Sequence, residues 1–288
     1  MSATASEAPT APASMRIDWA GVEHDRVRGR PRIASLVPSL TETLFALGVG
    51  DDVVARTGFC IHPRERVRSV AKIGGTKDPD LRKLETLAPT HLVVNVDENR
   101  REDVDAARAF VDHVIVTHPV APADNARLVT LLGAIFDRDA KAAELVAAID
   151  GAFESVAADV AAFPRERVLY LIWRKPWMTV ARDTYVSRTL ALAGLDTVEI
   201  ASTDRYPRLT DDDPAWRLAD RVMLSTEPYA FRERDARALR ERLARPVDLI
   251  DGEWTSWYGS RAAIGARGLR DWRRARAASP GSCARLRA

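Results

Sequence analysis

Tryptophan is concentrated in two short segments in the second half of the chain. Trp173-Arg174-Lys175-Pro176-Trp177 follows one predicted β-strand and Trp254-Thr255-Ser256-Trp257-Tyr258 follows another, so four of the seven tryptophans stand at strand ends. Aromatic rings with a polar edge, beside the cation of Arg174, suit a large planar or partly apolar ligand. The alternative is that these rings cap the hydrophobic core. Their clustering at strand ends favours ligand binding.

Small polar loops follow three predicted strands of the first half. Cys60 and His62 stand there at a Cys-x-His spacing, but a closed zinc site needs four ligands. We therefore predict no metal site and regard the pair as weak candidates only. His118, at a further strand end, either lines a ligand site or caps its strand. The three loops are Phe59-Cys60-Ile61-His62-Pro63, Gly74-Gly75-Thr76-Lys77-Asp78 and Asp97-Glu98-Asn99.

The common catalytic signatures do not occur in this sequence. Gly74-Gly75-Thr76-Lys77 lacks the order and spacing of a phosphate-binding loop, and there is no Gly-x-Ser-x-Gly elbow. Asp97 and Glu98 are adjacent, so in an extended segment they point to opposite faces and do not form an acid/base pair. Asp211-Asp212-Asp213 before Pro214 is more typical of a helix start than of a metal site. We predict a protein that is not an enzyme.

Length and charge limit the classes of partner. The 288 residues are enough for two lobes, each with its own core. Lysine and arginine (43) nearly balance aspartate and glutamate (41), so no global field selects nucleic acid. Arginines are concentrated between Arg261 and Arg287, beside a Pro-Gly-Ser stretch, which predicts a solvated, frayed tail.

The termini and cysteines bear on the compartment. Cys60 and Cys283 lie far apart, so a structural disulfide is not expected, and neither compartment is excluded. Residues 1–14 do not have the pattern of a secretory signal, and no apolar run approaches the ~20 residues of a membrane span. We expect a cytoplasmic location for the chain as written, and a periplasmic one if its true start lies upstream.

Strands and helices alternate in the first half, which predicts a mainly parallel sheet covered on both faces. The Pro38-Ser39-Leu40-Thr41-Glu42 segment has the cap chemistry of a helix start. The predicted strands are Arg32–Val37, Asp52–Arg56, His91–Val96 and Asp112–Val116, and the predicted helices are Pro38–Leu47, Asp80–Leu87 and Glu102–Phe110.

A long helix separates this series from a second one. Apolar residues recur at helical spacing between Arg138 and Ala162, which predicts a rod of about 37 Å at 1.5 Å per residue. A rod of that length indicates a connector between lobes. The second series comprises the strands Arg167–Ile172, Met178–Val180, Arg221–Ser225 and Val247–Ile250, with the helices Tyr185–Leu192 and Arg234–Leu243.

The predicted fold is α/β, with two Rossmann-like lobes of mainly parallel sheets joined by one long backbone helix. Ligands of such sheets bind at the carboxyl ends of the strands, so we expect the site between the lobes. The predicted organisation is a disordered or irregular lead-in (1–31), an amino-terminal lobe (32–122), a helical connector (123–164), a carboxyl-terminal lobe (165–274) and a basic flexible tail (275–288).

With these elements the chain resembles the helical-backbone (class III) substrate-binding proteins of ABC importers, which capture vitamin B12, ferric siderophores and haem. The closest likeness is to the cobalamin-binding member, over about Arg32 to Arg274. It rests on the long helix and on three segments, namely Ser35–Glu42 with Leu47-Gly48, Leu84–Val93, and Thr189–Leu195.

The resemblance implies roles for particular residues. Phe59 and His62 match aromatic ring contacts of the cobalamin binder, whereas Thr76 and Tyr206 replace its tryptophans. Two departures stand out, because Trp257 occupies the place of a basic ligand contact and Arg82 that of an acidic residue used for docking on the transporter. The predicted ligand-binding residues are Phe59, His62, Thr76, Asp97, Trp173, Arg174, Trp177, Tyr206, Glu253, Trp254 and Trp257.

The leading functional prediction is a non-catalytic, monomeric substrate-binding protein for a cobalamin-like or other metal-chelate ligand, such as haem or a ferric siderophore. Its expected partners are that ligand and an ABC permease, with no nucleic acid, no membrane span and no further cofactor. The alternative is a cytoplasmic enzyme or regulatory sensor that acts on a metal chelate or cofactor precursor in the same cleft. Its candidate residues would be Cys60, His62, Asp97 and Glu98.

Overall fold

The computed structural model describes residues 13–277. They divide into two compact units, the first formed by residues 13–118 and 126–147 and the second by residues 119–125 and 148–277. The boundary at residues 147 and 148 falls inside one long helix. The predicted long helix is thus present and contributes residues to both units.

The first unit contains a five-stranded sheet in the order β3-β2-β1-β4-β5, in which every pairing is parallel. The central strand β1 therefore has β2 on one side and β4 on the other. The strands are β1 (Ile33–Ser35), β2 (Val53–Arg56), β3 (Ala71–Lys72), β4 (His91–Asn95) and β5 (His113–Thr117).

Helices connect these parallel strands. Asp80 caps the amino-terminal end of α3 (Leu81–Thr86), because its carboxylate accepts a hydrogen bond from the backbone N–H of Lys83 (3.0 Å). The helices of this series are α1 (Pro38–Ala46), α2 (Arg64–Val67), α3 (Leu81–Thr86), α4 (Arg101–Ala107) and α5 (Asp124–Ile135), followed by the long α6 (Asp139–Val160).

The second unit contains a six-stranded mixed sheet, in the order β11-β10-β6-β7-β9 with β8 paired to β6. The strands are β6 (Glu166–Trp173), β7 (Trp177–Thr179), β8 (Leu195–Thr197), β9 (Arg208–Leu209), β10 (Arg221–Ser225) and β11 (Val247–Ile250). The helices are α7 (Tyr185–Leu192), α8 (Ala215–Leu218), α9 (Glu233–Leu243), α10 (Glu253–Ser256) and α11 (Ala262–Ala277).

Strand β6 shows why its sequence is continuously apolar. Val168 and Tyr170 belong to one core cluster, whereas Leu169 and Leu171 belong to another. Successive side chains of a strand point to opposite faces, so both faces of this sheet are covered. The strand predicted from the run 167–172 is confirmed.

Three strands had no sequence prediction, namely β3, β8 and β9. Each has only two or three residues, too few for a period to be visible. The pairing of β7 with β6 is antiparallel because the chain reverses direction in the turn at residues 174–176. The pairing of β7 with β9 is antiparallel as well. The second sheet is accordingly more mixed than the alternating pattern suggested.

The prediction of a frayed tail is wrong for residues 262–277. They form α11, in which Arg273 is 3 % exposed and donates hydrogen bonds to Glu166 and to the carbonyl oxygen of Pro164. Arg276 pairs with Asp248 at 2.8 Å. Burial and ion pairing hold these arginines in a helix. The composition of the segment alone wrongly indicated a frayed tail. Cys283, Arg285 and Arg287 lie outside the described residues.

Asp18 and Trp19, which precede β1, are bonded to the sheet of the first unit. The backbone N–H of Trp19 donates to the carbonyl of Val116 (3.0 Å), and the N–H of Val116 donates to the carboxylate of Asp18 (2.9 Å). These bonds satisfy part of the edge of β5, which would otherwise present unpaired backbone groups.

Within residues 13–277, no helix combines the length and the apolar character needed to cross a membrane.

Two histidines stack at the start of β4 and β5. The rings of His91 and His113 are 4.6 Å apart with an interplanar angle of 22°. Burial, reinforced by the neighbouring charges of His113 and His24, lowers the pKa of His91 from 6.5 to about 4. The folded protein therefore takes up a proton at His91 less readily than the unfolded chain does.

This difference predicts a pH-dependent contribution to stability. The contribution of His91 is fully present above pH 6.5 and is lost as the pH falls from 6.5 to about 4, by at most about 3 kcal/mol. Urea unfolding of the parent chain and of His91→Gln between pH 4 and pH 7.5 measures it. As the pH falls, we expect the free energy of unfolding of His91→Gln to rise relative to that of the parent chain. A difference that does not change with pH would contradict the lowered pKa of His91.

Candidate functional site

The loop after β2 presents two apolar side chains to solvent and one thiol to the interior. Phe59 is 63 % exposed and Ile61 is 46 % exposed, whereas Cys60 is fully buried. The Cys60 thiol lies 3.0 Å from the hydroxyl of Thr41 and 3.2 Å from that of Thr57. Burial raises the pKa of Cys60, so the thiol stays protonated near neutral pH.

Arg56 holds this loop in shape. Its buried guanidinium donates to the carbonyl oxygens of Val67 (2.8 Å), Thr57 (3.0 Å) and Cys60 (3.0 Å). Three bonds from one planar fork restrict the backbone on both sides of Phe59 and Ile61. The two apolar side chains are therefore displayed by an ordered loop.

Asn99 connects the ends of three other strands in the first unit. Its side-chain oxygen accepts from the N–H of Asn95 (2.9 Å), and its amide nitrogen donates to the carbonyls of Thr76 (3.0 Å) and Leu36 (3.4 Å). Those three residues follow or end β4, β3 and β1. One buried amide thus fixes the relative positions of three strand exits.

Polar groups and a third exposed apolar side chain complete this edge of the sheet. Val96, directly after β4, is 52 % exposed. Lys77 donates to the carbonyl of Asp97 (2.7 Å), and the Asp97 carboxylate lies 3.4 Å from the Nε2 of His118. His62 and Thr76 are half-buried. The structure therefore places Thr76, Asp97 and His118 together at this edge, and puts Phe59 and His62 on the neighbouring loop.

In the second unit, Trp173 is 39 % exposed at the end of β6. Its ring packs edge-on against Tyr229, with the centroids 5.5 Å apart. Arg174 is held by an ion pair with the buried carboxylate of Asp235. This part of the predicted set forms an aromatic surface with a fixed cation beside it.

Trp177 occupies a different environment from Trp173. It packs edge-on against Trp216 (5.6 Å) and parallel to Phe231 (6.3 Å), and its Nε1 donates to Asp211 (3.2 Å). It lies against a core cluster of this unit. The core-capping alternative fits Trp177 better than a role in ligand contact.

Trp254 and Trp257 are also engaged within the second unit. A Cβ atom on Gly268 of α11 would lie 2.5 Å from the Trp254 ring, so that ring packs directly on the glycine. Trp257 is 5 % exposed and donates from Nε1 to Glu227 (2.7 Å). Glu253 pairs with Arg261 at 2.9 Å, and Tyr206 packs against a core cluster.

Hydrogen bonds around Glu227 connect the segments that follow β10 and β11. Its carboxylate accepts from the hydroxyl of Ser256 (2.6 Å) and from Trp257, and the N–H of Gly252 donates to the hydroxyl of Thr226 (3.0 Å). Burial, together with the nearby carboxylates of Glu253 and Asp251, raises the pKa of Glu227 against the lowering effect of its hydrogen bonds.

Several of these residues had no sequence prediction. Ile61 and Val96 carried a signal, because each is a large apolar residue in a polar loop just after a strand. Arg56, Asn99, Tyr229 and Glu227 carried none, because their roles depend on contacts between segments distant in sequence. Among the described residues, no group of three or more His, Cys, Asp or Glu side chains is placed to hold a metal ion.

A family model described as periplasmic binding protein matches residues 33–216 of the chain. The chain belongs to the periplasmic binding protein family. As a member of a family of binding proteins it is not an enzyme, which confirms that prediction. None of the curated proteins matches the chain.

Several solved structures of binding proteins share the fold of this chain. The periplasmic vitamin B12 binding protein BtuF of Vibrio cholerae has a TM-score of 0.73 at 16 % identity, covering 86 % of this chain and 98 % of that one. The periplasmic heme-binding protein RhuT from Roseiflexus sp. RS-1 has a TM-score of 0.73 at 19 % identity, with 86 % and 98 % covered. A periplasmic heme-binding protein from Pseudomonas aeruginosa has 0.73 at 18 % identity, with 84 % and 92 % covered.

At these identities the likeness establishes the fold alone. It confirms the predicted class, an α/β protein of two lobes with parallel and mixed sheets.

The close fit of Trp254 on α11 predicts the effect of one added methyl group. Gly268→Ala would place a Cβ against the Trp254 ring and lower the free energy of unfolding by about 1–3 kcal/mol. Gly151→Ala, in α6, is the matched control, because a Cβ there meets nothing within 4 Å. The control should gain about 0.5–1 kcal/mol from helix propensity. Urea unfolding measures both, and equal effects would argue against the packing of Trp254.

The buried carboxylate of Glu227 predicts a stabilising substitution. Glu227→Gln keeps an acceptor for Ser256 and Trp257 but removes a charge that burial disfavours. Because the folded pKa is raised, the native state loses stability as the pH rises through and above the ordinary carboxyl range. We expect the variant to be more stable than the parent at pH 7 and this advantage to disappear near pH 4. Thermal unfolding at the two pH values is the measurement.

Proposed function

We propose that this protein binds a metal chelate with a large, partly apolar surface, such as a corrinoid, haem or ferric siderophore, and presents it to the permease of an ABC importer. The binding-protein role follows from the family. The ligand class and the permease are supported by the resemblance of the sequence to chelate receptors. This role would place the protein on the outer side of the membrane that holds the permease.

The observation that carries the proposal is the exposure of apolar side chains at strand ends. Phe59, Ile61 and Val96 follow β2 and β4 of the first unit, and Trp173 ends β6 of the second. In soluble proteins, clusters of large exposed apolar side chains commonly mark ligand-binding or interaction sites. The carboxyl ends of parallel strands are also where open α/β sheets take their ligands.

The polar groups on the same edges suit a ligand with a polar rim. Thr76, Asp97 and His118 lie beside the apolar residues of the first unit, and Arg174 lies beside Trp173 in the second. An apolar body bordered by hydrogen-bonding groups describes corrinoids, haem and many siderophores alike. In the first unit we propose Phe59, Ile61, His62, Thr76, Val96 and Asp97 as ligand contacts. In the second unit, taken by itself, we propose Trp173, Arg174 and Tyr229.

Within residues 13–277, the environment of Cys60 counts against the enzyme alternative. A nucleophilic cysteine needs an accessible thiol of lowered pKa, whereas Cys60 is buried and its pKa is raised.

Binding of the three chelate types tests the proposal. The purified chain is titrated with cyanocobalamin, ferric haem and ferrichrome, and binding is followed by the visible spectrum and by tryptophan fluorescence. We expect one of the three to bind at micromolar concentration or better with one-to-one stoichiometry. If none of them binds or quenches fluorescence, the proposed ligand class is wrong.

A single truncation links binding to the loop after β2. Phe59→Ala should weaken the binding of the chelate by about 2 kcal/mol, close to a 30-fold rise in Kd, because a large exposed ring no longer contributes apolar contact. Leu218→Ala is the matched control, since Leu218 is 46 % exposed but lies at the end of α8, before the start of β10. Equal affinities for the parent and Phe59→Ala would exclude this loop from the site.

A further inference from the structure

The amino-terminal end of α1 contains buried donors that no described residue satisfies. The hydroxyl of Ser39 is buried and has no hydrogen-bond partner, and Ser39 as a whole is 3 % exposed. The backbone N–H of Thr41 makes the first helical bond, to the carbonyl of Val37, so those of Ser39 and Leu40 precede the helical ladder.

Neither of the usual devices satisfies these donors. The residue that caps the helix is Val37, whose side chain offers no acceptor, and Pro38 occupies the first turn. The first turn also lacks an acidic residue. A buried donor without an acceptor costs as much as a lost hydrogen bond, so an acceptor must come from water or from a ligand.

The geometry of a helix directs all three donors to one place. The first N–H groups of a helix point out of its amino-terminal end, and every Cα–Cβ bond tilts toward that end. The side chain of Ser39 therefore tilts toward the same end of the helix from which the two N–H groups point. The aligned peptide dipoles add partial positive charge there, which favours an anionic acceptor over a neutral one.

The position of α1 in the first unit connects this feature to the proposed site. The helix follows β1, the central strand, whose neighbours are β2 and β4. The loop after β2 carries Phe59 and Ile61, and β4 is followed by Val96, all exposed. The donors thus lie at the carboxyl end of the strand between two strand ends that bear apolar side chains.

We infer that the amino-terminal end of α1, with the hydroxyl of Ser39, binds an anionic oxygen group, a carboxylate or a phosphate. This inference rests on the proposed function for its ligand, which then combines an apolar body with at least one such group. A free oxyanion would satisfy the same donors, and the experiment distinguishes the two sources.

The test uses variants that fill or weaken the site. Ser39→Asp supplies a carboxylate to the helix end from the chain itself, so it should abolish anion binding. Ser39→Ala removes only the hydroxyl and should retain part of the effect. Ser69→Asp adds the same charge at an exposed position after α2 and is the control.

Two probes compare ligands that differ only in the anionic group. Ferric haem carries two carboxylates, which its dimethyl ester lacks. We expect the full chain and Ser69→Asp to bind haem at least 10-fold more tightly than the ester, and Ser39→Asp to lose that preference. Equal binding of the two probes by the full chain, unchanged in Ser39→Asp, shows that the ligand supplies no anionic group here.

Inorganic phosphate is tested on its own, by thermal unfolding at constant ionic strength against chloride. If phosphate stabilises the full chain and Ser69→Asp but not Ser39→Asp, the helix end is an anion site even when haem and its ester bind equally. The inference is overturned if residue 39 affects neither the preference for haem over its ester nor the stabilisation of the protein by phosphate. In that case the donors at the helix end are only hydrated. Failure of all chelates to bind counts against the proposed function, and the phosphate measurement then decides the inference independently.

Discussion

Parallel pairing of strands is the constraint on which the site depends. In a parallel sheet every strand leaves at the same edge, so loops far apart in sequence must lie side by side there. In the first unit this brings the loops after β1, β2, β3, β4 and β5 to one edge. The crossover helices occupy the faces of the sheet and leave this edge to the loops, which places exposed Phe59, Ile61 and Val96 near polar Thr76 and Asp97.

Buried polar side chains then convert neighbouring loops into an ordered surface. Arg56 donates to three carbonyls around the loop after β2, and Asn99 joins the ends of β1, β3 and β4. In the second unit Glu227 connects the loops after β10 and β11 through Ser256 and Trp257. A buried hydrogen-bonding group is costly unless it is satisfied, so each of these side chains fixes the groups that satisfy it. Such preorganisation reduces the entropy that a ligand must order on binding.

Much of the fold could be predicted, because its elements are long and strongly patterned. The helix predicted between residues 138 and 162 is α6, and the strands predicted at 221–225 and 247–250 have the observed bounds. Strands of two or three residues, such as β3 and β9, were not predicted, since pairing partners rather than their own sequences define them. The arginines of α11 were misread for a similar reason. A charged segment is not necessarily exposed to solvent if the rest of the fold supplies ion-pair partners. Here Glu166 pairs with Arg273 and Asp248 pairs with Arg276.

By itself the sequence determined the class of the fold, the position of strand ends and the aromatic character of the loops that follow them, because period and residue type are local properties. Only the tertiary structure decided which aromatic residues are exposed. Trp173 is open to solvent, whereas Trp177 packs against Trp216 and Phe231, and Trp254 packs against α11. Four tryptophans at strand ends look alike in sequence. Their difference arises from other segments of the second unit, which cover the rings of Trp177 and Trp254 and leave that of Trp173 partly uncovered.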